Sequence, residues 1–251
     1  MAFFTIFGLM IKNLRLLHRV YVIFVIVFLF LIFYPFYYIT SRKTEWYGML
    51  NKLRKANSLL CSFLTGIFFR INLDEPLDEE ETYIYCANHT SNLDVMILCV
   101  LAKGRFHFMG KEELLRHPMF KIFFRTVDIP VKRDSRISAF RAFKQAGNNL
   151  EKGMSLVIFP EGGIGEEHYP PVLMPFKNGA FRLAIEKGVR IVPVTMNVWK
   201  KMFDDGARYG SRPGICDIYV HKAVSTKDLR LGEEDLLKDQ VFEIINSKLA
   251  V

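Results

Sequence analysis

Residues 20–39 read VYVIFVIVFLFLIFYPFYYI, without a single charge. This is close to the ~20 residues a helix needs to cross a bilayer. It lacks the shorter apolar region and small-residue cleavage site of a signal peptide. Lys12, Arg15 and Arg19 precede the run, and Arg42 and Lys43 follow it, so the positive flanks assign no orientation. Pro35 and a second apolar stretch at residues 2–11 leave two forms open, a straight span or a bent embedded element whose ends return to one face. Residues 46–69 then place Trp46, Met49, Leu50, Leu53, Leu60, Phe63, Leu64 and Ile67 at helical spacing, with Lys52, Arg54, Lys55 and Ser62 elsewhere. That pattern predicts an amphipathic helix, lying either in the membrane interface or against a soluble core. The preceding apolar run favours the interface. Residues 1–70 are thus expected to form a two-helix membrane-associating module, and the acidic stretch DEPLDEEE at 74–81 a surface linker leading out of it.

Beyond the linker the rhythm changes to short apolar runs alternating with amphipathic ones. Strands are predicted at 82–87, 105–109, 127–131, 155–159, 190–197 and 215–224, and the clearest helices at 135–152, 178–187 and 233–248. Alternation on this scale predicts an α/β domain over residues 71–251, with a mixed, largely parallel sheet flanked by helices.

Composition supports a lipid-facing part. Hydrophobic residues make up 51% of the 251, more than a soluble core of this size requires. The net charge of +8 suits an anionic partner, either nucleic acid or an acidic membrane. The bases form no aromatic-interleaved patch and no known nucleic-acid signature, so no nucleic-acid partner is expected. Cys61, Cys86, Cys99 and Cys216 show no CxxC spacing and lie in apolar contexts. They read as buried reduced thiols, which places the domain on the cytoplasmic side of its membrane.

The chemistry concentrates at strand ends. NHTSNLD, residues 88–94, joins an apolar strand-like run to an apolar helix-like one. Five residues separate His89 from Asp94, which on one regular helix would put them about 140° apart. Across a strand-to-helix turn they can meet as a base and its orienting carboxylate. The alternative is an ordinary helix start, with Ser91 or Asn92 as N-cap and Asp94 favouring the positive helix end. VIFPEGGIG, residues 157–165, displays Glu161 beside Gly162 and Gly163, whose missing side chains permit a close backbone approach to a ligand. It matches neither the P-loop nor the GxGxxG pattern. IPVKRD, residues 129–134, brings Lys132 and Arg133 to another strand end, and Lys111 and Lys177 are further basic candidates. Arginine suits a phosphate because its planar fork donates two parallel hydrogen bonds.

Together, NHTSNLD, IPVKRD, FPEGG and the later VPV at 192–194 resemble, in this order, motifs of the glycerolipid acyltransferases that include the 1-acylglycerol-3-phosphate (lysophosphatidic acid) acyltransferases. The resemblance spans about residues 83–197, and the apolar amino-terminal module is in keeping with it. It implies that His89 and Asp94 are the catalytic pair, that Arg133 belongs to the acceptor-phosphate site, and that Glu161 and Gly162 belong to the acceptor-binding loop. Many members of that family continue FPEG with Thr-Arg, where this chain has Gly163 and Ile164. The missing arginine leaves the acceptor open. Lys111, Lys132 or Lys177 compensates, or the acceptor is a different lysolipid.

Acyl transfer from a thioester to a hydroxyl needs a base, and imidazole, which ordinarily titrates near about 6.5, can take a proton near neutrality. His89 is expected to deprotonate the acceptor hydroxyl, with Asp94 on the other ring nitrogen and backbone N–H groups near the helix start receiving the oxyanion. The expected partners are a lysophospholipid in the membrane, the membrane lipids themselves, and a soluble donor, either acyl coenzyme A or acyl carrier protein; no cofactor and no metal are expected. Three rivals stand beside this reading. One is a hydrolase using the same pair on water. Another is a metal enzyme, for which His107 and His117 lack a convincing ligand spacing. The third is a noncatalytic membrane-binding protein.

Overall fold

Strict alternation builds the centre of the molecule. In β2 (Ile84–Ala87) the side chains of Tyr85 and Ala87 enter one core cluster, while Ile84 and Cys86 enter another on the opposite face. The structure, a computed structural model, describes residues 2–165, 170–203 and 208–249, with side chains from residue 7 onward. The extreme ends of the two predicted segments, Met1 and residues 250–251, lie outside the described residues. Besides β2, the described strands are β1 (Ile67–Leu73), β3 (Phe106–Lys111), β4 (Ile129–Val131), β5 (Ser155–Ile158), β6 (Ile191–Met196) and β7 (Gly214–Val220). They form one sheet in the order β1-β7-β6-β2-β5-β3-β4, parallel throughout except between β6 and β7. The carboxyl ends of β2 to β6 therefore share one edge, joined there by the amino ends of β1 and β7.

Helices cover both faces. On one lie α1 (Ala2–Thr40), α2 (Tyr47–Thr65) and α3 (Leu93–Leu101). A four-residue helix, α4 (Lys121–Phe124), precedes β4. The other face carries α5 (Arg136–Glu151), α6 (Gly179–Lys187) and α7 (Glu234–Asn246). Ser135 caps α5 by accepting a 3.2 Å hydrogen bond from the Ser138 N–H, and Ala142, Ala146 and Leu150 recur every fourth residue along its buried side. Every strand and helix predicted after residue 71 forms, within a few residues of its expected ends. The acidic stretch after β1 runs over the surface at the sheet edge opposite the strand carboxyl ends, pinned by Glu79 to Lys103 at 2.7 Å and by Glu81 to Arg190.

One expectation for the amino-terminal part changes. The predicted amphipathic helix stops at Thr65 instead of continuing to Phe69. Gly66, at φ +68°, takes the left-handed conformation that closes a helix, and the aromatic and β-branched IFFRINL run after it pairs with β7 along its whole length as the edge strand β1. The apolar segment, for which a span and a bent element both stood open, is one 39-residue helix, α1, that continues through Pro35. At ~1.5 Å per residue it is about 58 Å long.

The side chains of α1 and α2 are arranged for lipid. α1 buries Val22, Val25, Leu29 and Tyr37 against the domain and exposes Leu17, Phe24, Leu31 and Phe36. Two of its polar residues turn inward, with Arg19 donating to the Phe203 carbonyl at 2.8 Å and His18 bridging the Ser211 hydroxyl at 2.7 Å and the Thr65 carbonyl at 3.0 Å. α2 is inverted relative to a soluble helix. It buries Asn51, Arg54, Ser58 and Ser62, and it exposes Leu59, Leu60, Phe63 and Leu64. Apolar faces turned outward in this way suit an apolar surrounding such as a membrane.

Candidate active site

The turn after β2 is organised by two buried polar side chains. Asn88 clamps the backbone of Met196 at the end of β6, donating to its carbonyl at 3.0 Å and accepting from its N–H at 2.7 Å. Asp94, in the first turn of α3 and fully buried, gathers the turn around one carboxylate oxygen. Its Oδ2 accepts from the Thr90 N–H at 2.7 Å, the Ser91 N–H at 2.8 Å and His89 Nδ1 at 3.0 Å. The carboxylate that ties down the turn before α3 is therefore also the imidazole's partner, while Asn92 at the helix start makes no side-chain cap. A carboxylate facing Nδ1 holds the proton there and leaves Nε2 as an acceptor. The ring stacks on Phe159, centroid to centroid 3.9 Å at 13°, and the side chain remains 15% exposed, so it is both fixed and reachable. The Thr90 and Ser91 N–H groups both point at Asp94, so neither of these two is free to receive an oxyanion.

Glu161 follows β5 and is buried, accepting from the His89 N–H at 2.7 Å and the Met174 N–H at 2.9 Å. It links the histidine's backbone to the loop that leads into α6. Loss of water around the carboxyl outweighs the two N–H donors and pushes its pKa from 4.5 up to about 7. A carboxyl whose pKa is raised on folding adds stability that is fully present below pH 4.5 and is lost as pH rises through about 7. Thermal unfolding of the wild-type chain and of Glu161→Gln is expected to show the wild type losing ground to the variant across that window. A constant difference would mean that the carboxyl titrates at its ordinary pH.

Beside this pair, a cleft of about 130 Å³ opens between the carboxyl ends of β3, β4 and β5 and the helices α5 and α6. Its floor is apolar, formed by Met109, Val131, Phe143 and Ile158, and its lining includes Phe159, Arg133, Gly162 and Lys177. Gly162 has φ +80°, and a Cβ there would stand 2.8 Å from Lys177 Nζ, so the glycine gives the lysine its place. A Cβ on Gly163 would lie 3.4 Å from an Arg133 guanidinium nitrogen. The structure thus brings Arg133, Gly162, Gly163 and Lys177 together. Lys111, at the end of β3, and Lys132, after β4, are exposed and do not line the cleft. Among the described residues no three His, Cys, Asp or Glu side chains come together as a ligand set. The four cysteines are free and buried, and burial pushes Cys61, Cys99 and Cys216 up to about 12. Sequence reasoning missed Phe159 and Asn88. An aromatic residue directly before PEG and a buried amide directly before the histidine were the available signals.

A sheet with a His–Asp pair and a basic cleft at its carboxyl edge defines the class. Residues 69–197 match the family model described as "Acyltransferase", and the chain belongs to that family. Among its relatives is a 1-acyl-sn-glycerol-3-phosphate acyltransferase of Haemophilus influenzae, 30% identical over 169 residues, which are 64% of this chain and 69% of that protein. Another, from Chlamydomonas reinhardtii, is 30% identical over 176 residues, covering 70% of this chain and 51% of the relative. The 1-acyl-sn-glycerol-3-phosphate acyltransferase alpha of Mus musculus is 25% identical, with 76% and 66% covered. The chain thus spans about half to two thirds of the length of these relatives. In fold it is similar to the crystal structure of the 1-acyl-sn-glycerophosphate (LPA) acyltransferase PlsC from Thermotoga maritima, with a TM-score of 0.76 at 21% identity over 94% of this chain and 95% of that one.

Proposed function

We propose that this protein transfers an acyl chain from an acyl thioester to the free hydroxyl of a membrane lysophospholipid, 1-acylglycerol-3-phosphate, giving phosphatidic acid. The observation that carries this reading is the 3.0 Å contact of His89 Nδ1 with Asp94, in a ring stacked on Phe159 at the wall of a cleft that also holds Arg133 and Lys177. His89 Nε2 takes the hydroxyl proton as the acceptor oxygen attacks the thioester carbonyl. The tetrahedral intermediate then collapses, the carbon–sulfur bond breaks, and the imidazolium returns its proton to the departing thiolate. Asp94 stabilises the imidazolium without accepting its proton. Because the acceptor itself is the nucleophile, no acyl-enzyme forms. Arg133 and Lys177 hold the acceptor phosphate in place of the family arginine that Gly163-Ile164 omits, and Glu161 acts by positioning His89. The donor is acyl coenzyme A or acyl carrier protein.

The same reading places α1 and α2 in one leaflet. α1 is glued along one side to the domain from Arg19 to Tyr37, and a domain with charged surfaces cannot follow it through a bilayer. The catalytic domain then stays on the side of entry, the cytoplasm, as free buried thiols suit. The test is incubation of the purified full chain with a panel of lysolipids and both donor types, read by mass spectrometry. Phosphatidic acid and free thiol are expected, and Arg133→Ala should raise KM for the phosphate-bearing acceptor more than it lowers kcat. Free fatty acid released without any acylated lipid would replace this reading with hydrolysis.

A further inference from the structure

The first turns of α5 carry an outward face that the cleft does not use. Ile137 is 66% exposed and Phe140 70%, and one helical turn further along the same side stand Arg141 and Lys144. Residues 132–150 hold five basic side chains against one acidic, Asp134. Large apolar groups displayed among bases are costly in water and useful only against a surface that is itself apolar and anionic. The position of this face says which surface. α5 begins at the carboxyl end of β4, on the sheet edge where the cleft opens, and Ala139 and Phe143 of the same helix line that cleft. The amino-terminal part of α1 leaves the domain at that same edge. The Arg15 carbonyl accepts a 3.0 Å hydrogen bond from the Ser211 N–H just before β7, and Leu9, Leu14 and Leu17 before and beyond it are exposed.

We propose that Ile137 and Phe140 enter the headgroup region of an anionic bilayer, with Arg141 and Lys144 meeting its phosphates, as a lipid contact separate from α1 and α2. The domain then touches the membrane at two places with the cleft between them. This fixes its tilt and turns the cleft mouth toward lipid. Nothing in the inference depends on the reaction, so it can be tested without turnover.

The test uses the full chain with Phe140→Cys carrying an environment-sensitive fluorophore; the native cysteines are buried and do not compete. On vesicles containing phosphatidylglycerol the emission is expected to shift to the blue and gain intensity. Arg141→Gln with Lys144→Gln, or vesicles of phosphatidylcholine alone, should diminish that shift. A fluorophore at Glu80→Cys, on the opposite edge, should not respond. The proposal is overturned if the probe at 140 keeps its aqueous emission while one at Leu17→Cys enters lipid. A shift that appears only on adding an acidic carrier protein overturns it as well, because the face would then dock protein.

Discussion

His89→Ala will lower acyl transfer by at least about 10²- to 10⁴-fold, the contribution of a positioned general base, while the chain stays folded. The imidazole makes one side-chain hydrogen bond, to Asp94, and stacks on Phe159 at the edge of the core, so truncation leaves a small exposed gap. Asp94→Asn is the informative companion. Its amide can keep one acceptor oxygen but cannot serve the Thr90, Ser91 and His89 donors with a full charge, so both the helix start and the histidine's orientation loosen. Its unfolding temperature should drop with its activity, whereas His89→Ala should lose activity alone. Steady-state turnover and thermal unfolding of both variants check this. Near-normal turnover of His89→Ala removes the residue from the mechanism.

The second large effect is on stability and falls on a pair far from the chemistry. Arg54 of α2 and Asp128 before β4 are about 5% exposed and meet through two contacts, at 2.8 and 3.2 Å, and Asp128 also accepts from the Phe108 N–H at 3.0 Å. The guanidinium lies over the Phe123 ring, 4.1 Å from its centroid. Asp128→Ala leaves an arginine charge buried with no carboxylate, a change that costs about 3–5 kcal/mol. At 2–4 °C per kcal/mol for a domain of this size, the midpoint should fall by on the order of 10 °C. Replacing both partners, Arg54→Met with Asp128→Leu, should recover much of that loss because no unpaired charge remains. Thermal denaturation of the single and double variants in one detergent reads both effects. Equal midpoints for Asp128→Ala and the wild type would show that the pair contributes nothing.

The chain disclosed its domain through patterns with a physical period. Tyr85 and Ala87 alternate with Ile84 and Cys86 because a pleated strand between two helix layers must fill both sides, and that alternation is visible in the letters. β1 was hidden because IFFRINL continues an apolar rhythm that a helix also satisfies. Only the left-handed Gly66 and the distant partner β7 distinguish the two, and the partner lies some 147 residues away in sequence. α2 was legible as amphipathic, and the apolar run before it favoured an outward apolar face, but the partners of its buried polar side were not legible. Which face of a helix is buried depends on what it meets, and here Asn51 reaches the Phe106 carbonyl and Arg54 reaches Asp128.

The site shows the same division. His89 and Asp94 are close in sequence, so a local turn brings them together and the motif could announce it. Arg133 comes from the loop after β4, and Gly162 and Lys177 from opposite ends of the long loop between β5 and α6, so the fold and not the spacing decides that they share a cleft while Lys111 and Lys132 do not. Phe159 and Glu161 show a further limit. One stacks on the imidazole and the other holds its backbone, and neither relation leaves a trace in residue spacing.

The edge strand β1 carries a practical meaning for anyone preparing this protein. Its seven residues stand directly after the lipid-facing α2 and zip the first part of the chain onto β7, with Arg70 and Asp217 crossing the seam at 2.6 Å. No cut between anchor and catalyst leaves both whole. Removing α1 and α2 strips Asp128 of its buried partner Arg54, and cutting after β1 takes a border from the sheet as well, so the two apolar helices belong in any preparation of the domain.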